Sequence, residues 1–337
     1  MADIQSREIR LIKRPTATPT DENFETATVS IPEPSEGQIR VRNLFLSVDP
    51  YMRGRMRDAE SYVAPFSLGA ALEGGAVGQV IDSKNPKFDA GDYVLSMNGW
   101  REYWVADGKG ITKLDPRIAP LPAFLGVLGM PGLTAYAGLL KVGEPKEGET
   151  VFVSGAAGAV GSAVCQIAKI KGCKVAGSAG SDEKVRWLRE ECGVDAFNYK
   201  KESNLVAAMR RVCPNGIDVC FENVGGAHLE SALLVMRPFG RVAVCGLIDQ
   251  YNNAAPSPGP STFFSVLTKR LRIQGFIVTD FTGLMPEFHR DMGQWIKEGK
   301  LKYLETMVEG IENTQRAFLG LFHGDNIGKM LVKLPGA

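Results

Sequence analysis

A regular alternation of short apolar runs and amphipathic segments after residue 150 constrains the fold more than any other feature of this sequence. Residues 151–154 (VFVS) lead through a glycine-rich turn into residues 159–171, where apolar side chains recur at helical spacing. The segments that follow are, in order, KVAGS, DEKVRWLREECG, DAFNY, ESNLVAAMRRV, IDVCFEN, HLESALLVM, RVAVCGLI and RIQGFIV. Strands that alternate with helices in this way build a doubly wound parallel sheet, so we predict an α/β fold.

The residues before this alternation have a different pattern. From about residue 8 to residue 114, runs of four to eight residues rich in Val, Ile, Leu and Tyr lie between Pro, Gly, Asp and Asn, which predicts a barrel-like antiparallel β domain. Near the other end, a helix (IENTQRAFLGLFHG) and a strand (KMLVKL) follow the last sheet unit and are expected to complete that domain. We therefore predict a β-rich domain from residues 1–125 and 301–337, and a parallel-sheet domain from residues 126–300.

The glycine-rich turn lies where a strand passes into a helix. When GAAGAVG (residues 155–161) is aligned on the pattern G-x-G-x-x-G, Ala156 takes the place of the first glycine, and Gly158 and Gly161 match the other two. Backbone N–H groups at the start of such a helix can bind a diphosphate, which predicts a dinucleotide site, although a merely tight turn is the alternative. The residues expected to contact the cofactor here are Ala157, Gly158, Ala159, Val160 and Gly161.

The end of the second strand indicates which dinucleotide is bound. NAD-binding proteins place a carboxylate there against the ribose 2′-hydroxyl, but this strand ends in GSAGS with no acid at its tip. Gly180 leaves room for a 2′-phosphate, Lys184 lies one turn into the next helix, and the residues from Tyr199 follow the third strand as YKK. This arrangement favours NADPH. Asp182 is the counter-argument, but it follows a Ser181 that is expected to cap the helix, where an acid has an ordinary role.

Charge and cysteine content exclude several classes of protein. The 337 residues carry 39 basic and 38 acidic side chains, which does not fit a dedicated nucleic-acid binder. The amino-terminal residues lack the apolar core of a signal peptide, and no apolar stretch approaches the ~20 residues that span a bilayer. The six cysteines form no C-x-x-C pair and are expected to be free thiols of a reducing compartment. We therefore expect a cytoplasmic protein.

Ten short blocks, taken together and in this order, resemble the zinc-independent medium-chain dehydrogenase/reductase superfamily. They are VDPYMRGRM, GMPGLTAY, SGAAGAVG, GSAGSDEK, FNYK, FENVGG, RVAVCG, QYN, GFIV and GDNIGK, and they extend over nearly the whole chain. Within that superfamily the sequence is similar to the prostaglandin reductase and alkenal double-bond reductase family, whose plant members are NADPH-dependent 2-alkenal reductases. The resemblance implies a GroES-like substrate domain, a Rossmann cofactor domain, NADPH, and a homodimer.

The absence of zinc has its own support in the sequence. Zinc enzymes of this superfamily use Cys and His as ligands, and residues 1–164 contain neither. The three histidines, His228, His289 and His323, lie far apart in the sequence and are expected to be ordinary residues of helices or their ends. We therefore predict no metal site. Oxidation of a simple alcohol would then lack its usual Lewis acid, whereas reduction of an activated C=C bond needs none.

The resemblance also implies roles for individual residues. Tyr251 matches the tyrosine near the nicotinamide, and we assign it as the enolate hydrogen-bond donor or proton source. The alternative is that its ring packs over the cofactor, and that water or the ribose hydroxyl supplies the proton. Tyr51 matches a substrate-pocket tyrosine, with a role as a core aromatic as the alternative. The further positions that match cofactor contacts are Asn223, Cys245 (as a backbone contact), Phe276, Ile277, Val278 and Asn326. Phe276, Ile277 and Val278 can equally be sheet or dimer core.

The implied reaction is the reduction of the C=C bond of an α,β-unsaturated aldehyde or ketone, with hydride added to the β-carbon and a proton to the α-carbon. The protein has to orient the enone, donate hydrogen bonds to the enolate and exclude water. Two alternatives remain from the sequence: a zinc-free NADPH quinone reductase, and a non-enzymatic NADPH-binding structural protein. The sequence does not name the physiological substrate.

Overall fold

A computed structural model of the chain describes residues 3–337, so the first two residues of the predicted β-rich domain lie outside the described part. The strands are β1 (Ile4–Leu11), β2 (Phe24–Ile31), β3 (Ile39–Ser47), β4 (Ala76–Ser83), β5 (Tyr93–Ser96), β6 (Tyr103–Ala106), β7 (Thr112–Leu114), β8 (Thr150–Val153), β9 (Lys174–Ala179), β10 (Asp195–Asn198), β11 (Ile217–Glu222), β12 (Met236–Val244), β13 (Arg272–Gly275), β14 (Glu305–Glu309) and β15 (Lys329–Lys333). The α-helices are α1 (Met52–Arg55), α2 (Met130–Ala137), α3 (Ala159–Ile170), α4 (Asp182–Glu190), α5 (Leu205–Val212), α6 (Gly226–Val235), α7 (Phe264–Lys269), α8 (Met285–Lys297) and α9 (Thr314–His323).

The chain divides into two compact units. The first comprises Met1–Leu125, Glu305–Asn326 and Met330–Ala337, and the second comprises Gly126–Leu304 with Ile327–Lys329. The second unit therefore extends a few residues past the predicted boundary at 300. Hydrogen bonds explain this, because Lys302 N–H donates to Gln166 Oε1 on α3, and Lys329 N–H donates to the Leu304 carbonyl.

A six-stranded parallel sheet forms the centre of the second unit, as predicted. Its strand order is β10-β9-β8-β11-β12-β13. The central strands β8 and β11 are buried along their whole length, which explains why their sequences are mainly apolar. Helices α5 and α6 pack on the face that carries Phe152 and Cys220, while a π-helix, Gly138–Gly143, packs on the face that carries Val219 and Phe221. The sheet is therefore doubly wound, and the carboxyl ends of all its strands share one edge.

The first unit is built on antiparallel sheets, which confirms the predicted direction of its strands. The larger sheet has seven strands in the order β14-β15-β3-β4-β5-β7, with β6 paired to β3, and β1 pairs with β2 in a separate ribbon. The carboxyl-terminal strand β15 pairs with β3, so the predicted return of the chain to this unit occurs. Its core is centred on the buried Trp100, whose ring contacts Phe24 and Phe318 at centroid distances of 6.1 and 5.8 Å.

One predicted strand is shorter than expected. The segment RIQGFIV was predicted as a single strand, but β13 ends at Gly275 and a 3-10 helix begins at Val278. The cause is packing of the Phe276 ring against Phe221 and Phe281, which turns the chain out of the sheet. None of the helices in residues 3–337 is long and apolar enough to span a membrane.

Candidate active site

The glycine-rich turn connects β8 to α3 with the geometry that a diphosphate requires. Gly158 is the N-cap residue of α3, and no side chain caps this end of the helix. The first N–H groups of the helix, including those of Ala159, Val160 and Gly161, therefore have no side-chain acceptor at the N-cap position. A Cβ at position 161 would lie only 2.3 Å from the Gly155 carbonyl oxygen, so this first turn of the helix can pack on residues 155 and 156 only when the residue is glycine. The Ala157 carbonyl accepts a hydrogen bond from Gly328 N–H.

The first glycine of the motif is replaced, and the neighbouring strand compensates for the change. Ala156 N–H donates to the Ser178 carbonyl on β9 at 2.9 Å, and a Cβ at Gly177 would lie 2.6 Å from the Ala156 Cβ. A glycine at position 177 therefore provides the space that the alanine at position 156 uses. The turn remains tight despite the substitution, so its residues fit a bound dinucleotide.

Gly180 follows the carboxyl end of β9 and lies beneath two side chains from the next strand connection. A Cβ at this position would lie 3.1 Å from Tyr199 Oη and 3.4 Å from Lys200 Cε. The hydroxyl and the cationic side chain therefore converge over a residue that has no side chain of its own. Lys184 lies in the first turn of α4, which begins directly after Ser181. A hydroxyl and cations are groups that suit a phosphate, and the convergence of Tyr199 and Lys200 on Gly180 depends on tertiary contacts that the sequence does not show.

Asp182 does not provide the free carboxylate that an NAD site would need. Its two oxygens accept hydrogen bonds from Asn198 Nδ2 at 2.9 Å and from Lys201 Nζ at 2.5 Å. These bonds hold the pKa of the Asp182 carboxyl below its usual value. The predicted helix cap is confirmed, because Ser181 Oγ accepts a hydrogen bond from Lys184 N–H at 3.3 Å.

Asn223 follows β11 and is held at both its backbone and its side chain. Its N–H donates to Ser154 Oγ at 2.8 Å, and its Nδ2 donates to the Ser154 carbonyl at 2.7 Å. Ser154 is the residue after β8, so the two bonds tie together the ends of two adjacent strands. The side-chain oxygen of Asn223 and its second amide hydrogen remain for contact with a ligand.

The segment that carries Tyr251 is bound to the end of β11. Cys245 N–H and Gly246 N–H both donate to the Glu222 carbonyl, at 2.9 and 3.1 Å. Tyr251 Oη accepts a hydrogen bond from Leu247 N–H at 3.4 Å, and a Cβ at Gly246 would lie 3.0 Å from that hydroxyl oxygen. The structure therefore brings the Tyr251 hydroxyl back to the carboxyl edge of the sheet, next to the residues that follow β12.

The Cys245 thiol is not poised to act as a nucleophile. Burial, together with the nearby Glu222 carboxylate, raises its pKa to about 12. A thiol with such a pKa is protonated at neutral pH and is not activated. This supports the prediction that residue 245 contributes its backbone rather than its sulfur.

Phe276, Ile277 and Val278 follow the carboxyl end of β13, at the same edge of the sheet as Cys245. The Phe276 ring is packed inside the unit, because a Cβ at Gly138 would lie only 2.2 Å from its Cζ. Ile277 has an extended backbone, with φ −120° and ψ 132°. The phenylalanine therefore has a packing role, as the alternative interpretation of the sequence allowed, and the contacts of Phe276, Ile277 and Val278 with a cofactor stay predictions.

Two of the predicted site residues belong to the first unit. Tyr51 directly precedes α1, is half-buried against the Trp100 core, and has its pKa raised mainly by burial and also by the Asp49 carboxylate. Asn326 lies between α9 and β15 and is half-buried. Both side chains therefore remain predictions as contacts to substrate and cofactor.

Two polar residues of this edge, Glu222 and His228, were not predicted from the sequence to belong to it. Glu222 is fully buried, and its Oε1 accepts hydrogen bonds from Ser154 Oγ, Val224 N–H and Gly225 N–H. His228 on α6 is 5% exposed and packs edge-on against the Tyr199 ring, with centroids 4.8 Å apart. An acid at the end of an otherwise apolar strand (DVCFEN) is a signal that could have revealed Glu222. His228 gives no such signal, because its contact depends on how α6 lies on the sheet.

No metal centre is found in the described part of the chain. Residues 3–337 contain no group of three or more His, Cys, Asp or Glu side chains arranged to hold an ion. The His289 Nε2 atom lies 3.2 Å from the Leu128 carbonyl oxygen. His323 is the last residue of α9.

Comparison with protein families places both units. Residues 7–114 match the family described as the N-terminal domain of oxidoreductases, and residues 159–298 match the family described as zinc-binding dehydrogenases. The second description covers the Rossmann domain, and the first covers the GroES-like β-rich unit.

Full-length relatives define the branch. The chain is 45% identical to the NADP(+)-dependent 2-alkenal reductase of Nicotiana tabacum, with 98% of each chain covered. It is also 45% identical to prostaglandin reductase 1 of Rattus norvegicus, over 98% of this chain and 99% of the relative. Among solved structures, the CurA protein of Vibrio vulnificus in complex with NADPH matches with a TM-score of 0.93 and 42% identity, over 98% of this chain and 100% of that chain. The chain belongs to the zinc-independent medium-chain dehydrogenase/reductase family, in its branch of NADP-dependent alkenal and prostaglandin reductases.

Proposed function

We propose that this protein reduces the C=C bond of α,β-unsaturated aldehydes or ketones with NADPH as the cofactor. The observation that carries the proposal is that the glycine-rich turn, the Gly180 region and the Tyr251 hydroxyl all follow carboxyl ends of the same parallel sheet. Cofactor chemistry in open α/β sheets is located at that edge. The named activities of the tobacco and rat relatives support the same assignment.

The residues present fit NADPH rather than NADH. The uncapped start of α3 suits the diphosphate, and Tyr199, Lys200 and Lys184 suit the 2′-phosphate. Asp182, the first acid after the end of β9, is engaged by Asn198 and Lys201. NADPH supplies the hydride for the β-carbon when it is bound. Everything else in the reaction depends on groups of this chain.

Tyr251 has the role of stabilising the enolate oxygen or of delivering the proton to the α-carbon. Its oxygen accepts a long hydrogen bond from Leu247 N–H at 3.4 Å, which helps to orient the hydroxyl at the carboxyl edge. A preorganised donor of this kind acts where charge develops in the transition state. Asn223 and the backbone at Cys245 are proposed to hold the cofactor in register with that hydroxyl, and Ile277 and Val278 to contact the nicotinamide amide.

Tyr51 is proposed to line the substrate pocket, and Asn326 to contact the cofactor. Burial raises the pKa of Tyr51, so its hydroxyl stays protonated and available as a hydrogen-bond donor over the physiological pH range. A protonated phenol suits a carbonyl substrate, which offers only acceptors at its oxygen.

A substrate panel tests the proposed function. Purified protein is mixed with NADPH and, separately, with a short 2-alkenal, an aryl enone, an oxidised eicosanoid enone and a small quinone, and both NADPH oxidation and the products are followed. The proposal expects saturated aldehydes or ketones as products and faster turnover of enals or enones than of the quinone. Faster reduction of the quinone would assign the protein as a quinone reductase, and no turnover of any substrate would support a non-enzymatic NADPH-binding protein.

We further propose a cytoplasmic homodimer that pairs along the free edge of β13. This strand is at the end of the sheet, and the segment that precedes it in the chain exposes the apolar side chains of Phe263, Phe264 and Leu267, the last two at 72% and 70%. Large exposed apolar groups next to an open strand edge favour association with a second copy. Six free thiols support a reducing compartment. Light scattering of the wild-type chain and of Leu267→Glu tests the dimer, since the variant should be monomeric.

A further inference from the structure

Glu222 is the most deeply buried acid in the neighbourhood of the proposed site, and its side chain closes the turn that follows β11. It has no exposed surface, and its Oε1 accepts hydrogen bonds from Ser154 Oγ at 2.5 Å, from Val224 N–H at 2.7 Å and from Gly225 N–H at 2.9 Å. Burial of a carboxylate is costly unless donors of this kind compensate for it. The three donors therefore hold the acid in place, and the acid holds the turn.

The turn that Glu222 closes is hydrogen-bonded to residues of the proposed cofactor and proton-donor site. Ser154 Oγ, which donates to Glu222, accepts the N–H of Asn223. On the other side, the carbonyls of residues 222, 223 and 224 accept the N–H groups of Cys245, Gly246, Ile248 and Asp249. Leu247, within that bound segment, donates its N–H to the Tyr251 hydroxyl. The buried carboxylate is thus linked through Ser154 to Asn223, and through the Val224 backbone to Asp249 in the segment that extends from Cys245 to Tyr251.

A second buried acid on the same strand provides an internal reference. Asp218 lies at the opposite end of β11, and its Oδ2 accepts the Thr150 N–H at the start of β8 at 2.9 Å. Asp218 therefore joins the same two strands, β8 and β11, at their amino ends, as Glu222 joins them at their carboxyl ends. Arg237 forms an ion pair with Asp218 at 3.1 Å. The two acids therefore share a role in joining β8 to β11, and they differ in the arginine partner of Asp218 and in whether proposed site residues depend on them.

We propose that Glu222 is a positioning residue, which sets NADPH affinity through Asn223 and turnover through the segment that carries Tyr251. This inference rests on the proposed function, because it assumes that NADPH binds at the carboxyl edge. Ser154 is the partner through which the carboxylate reaches Asn223. Neither residue needs to touch the cofactor or the substrate.

The experiment compares Glu222→Gln and Ser154→Ala with the matched control Asp218→Asn. Each variant is measured for its NADPH dissociation constant by titration calorimetry, for kcat and KM with a 2-alkenal, for its melting temperature, and for amide hydrogen exchange at residues 224 and 225. Loss or weakening of a hydrogen bond to a charged group corresponds to about a ten- to hundredfold change in an equilibrium. We expect losses of about tenfold or more in NADPH affinity and in kcat for both site variants, with faster exchange at 224 and 225.

The control separates positioning from general stability. Asp218→Asn should lower the melting temperature by as much as Glu222→Gln does, yet leave the NADPH dissociation constant and kcat within about threefold of the wild type, since it leaves the carboxyl edge intact. Equal losses in all three variants, or unchanged affinity and kcat in Glu222→Gln and Ser154→Ala, would overturn the inference while the wild type still turns over the alkenal. A wild-type chain that neither binds NADPH nor reduces the alkenal would overturn the proposed function, and the inference with it. Ser154→Ala removes a single oxygen, so it provides the answer if Glu222→Gln does not fold.

Discussion

The two edges of the parallel sheet differ in how their polar groups are used. At the amino edge, charged groups satisfy one another, because Arg241 pairs with Glu149 at 2.5 Å and Arg237 pairs with Asp218 at 3.1 Å. Burial acts most strongly on the pKa of Glu149 and raises it, but the hydrogen bonds from Arg241 and the Lys146 N–H, together with the charges of Arg241 and Lys146, hold that pKa below its usual value. At the carboxyl edge, helix α3 begins without a side-chain cap and Gly180 has no side chain. The polar residues Tyr199, Asn223 and Tyr251 all follow strands at this edge. The amino edge serves stability, and the carboxyl edge is arranged for a ligand.

The largest expected effect of a single change is at Tyr251. If its hydroxyl stabilises the enolate, Tyr251→Phe should cost about 2.7 to 4 kcal/mol in the transition state, which is the scale of losing one oxyanion donor. Stopped-flow and steady-state assays should show a fall in kcat of about 10² to 10³ with an unchanged NADPH dissociation constant. Tyr103→Phe, on β6 of the first unit, is the matched control and should be close to wild type.

A small loss would change the interpretation of Tyr251. General-acid contributions usually reach about 10² or more, so a fall in kcat below about tenfold would mean that water or the ribose hydroxyl supplies the proton. A large rise in KM at constant kcat would instead assign the tyrosine to uniform substrate binding.

Lys184 should show the next largest effect, and only with one cofactor. A charge-assisted phosphate contact contributes about 1.5 to 3 kcal/mol, so Lys184→Ala should weaken NADPH binding by roughly one to two orders of magnitude and leave NADH binding nearly unchanged. Lys174→Ala removes the same charge from the amino end of β9 and is the control. Equal losses for both cofactors would contradict a role in binding the 2′-phosphate.

His228 predicts a pH dependence of stability. Burial lowers its pKa to about 4, although the Asp249 carboxylate acts in the opposite direction. The unfolded chain, with a histidine pKa of about 6.5, binds a proton between pH 6.5 and 4 that the folded chain does not bind. The free energy of unfolding should therefore fall as the pH decreases through this window, by up to about 1.4 kcal/mol per pH unit.

Urea denaturation at several pH values measures this dependence. His228→Phe keeps an aromatic ring against Tyr199 but cannot titrate, so its stability should depend less on pH between 4 and 6.5 than that of the wild type. His323→Phe, at an exposed position on α9, should keep the wild-type slope. Parallel pH profiles for the wild type and His228→Phe would show that His228 is not the titrating group.

Metal removal is expected to have no effect on activity. The sequence has no Cys or His before residue 165, and residues 3–337 contain no cluster that could hold an ion. Enone reduction should survive exhaustive chelation, and metal analysis should find no stoichiometric zinc in the purified protein. A content of about one zinc per chain, with activity lost on its removal, would contradict this prediction.

Local sequence patterns predicted the elements of the carboxyl edge but not the bonds between them. The strand and helix alternation, the glycine-rich turn and the Ser181 cap depend on neighbouring residues, so periodicity and residue type are enough to predict them. The Ser154–Glu222 hydrogen bond joins residues 68 positions apart, and it exists because β11 lies beside β8 in the sheet. Strand order is not a local property of the sequence, so residue type and periodicity could not predict this bond.

The end of β13 shows the same limit. The run RIQGFIV has the composition of a strand throughout, yet β13 ends at Gly275 because Phe276 packs against Phe221 and Phe281. Contacts between strands likewise bring the Tyr199 hydroxyl over Gly180. They also place the Ala156 side chain against Gly177. Tertiary packing decided these details where local propensity did not.

Amide hydrogen exchange with and without NADPH tests most directly the claim that the carboxyl edge of the parallel sheet is the cofactor site. NADPH should slow exchange in residues 155–161, 180–184 and 245–251, which follow the carboxyl ends of β8, β9 and β12. It should leave residues 146–150 and 214–218 at the amino edge unchanged. Protection at the amino edge, or no protection at the carboxyl edge at saturating NADPH, would contradict the account.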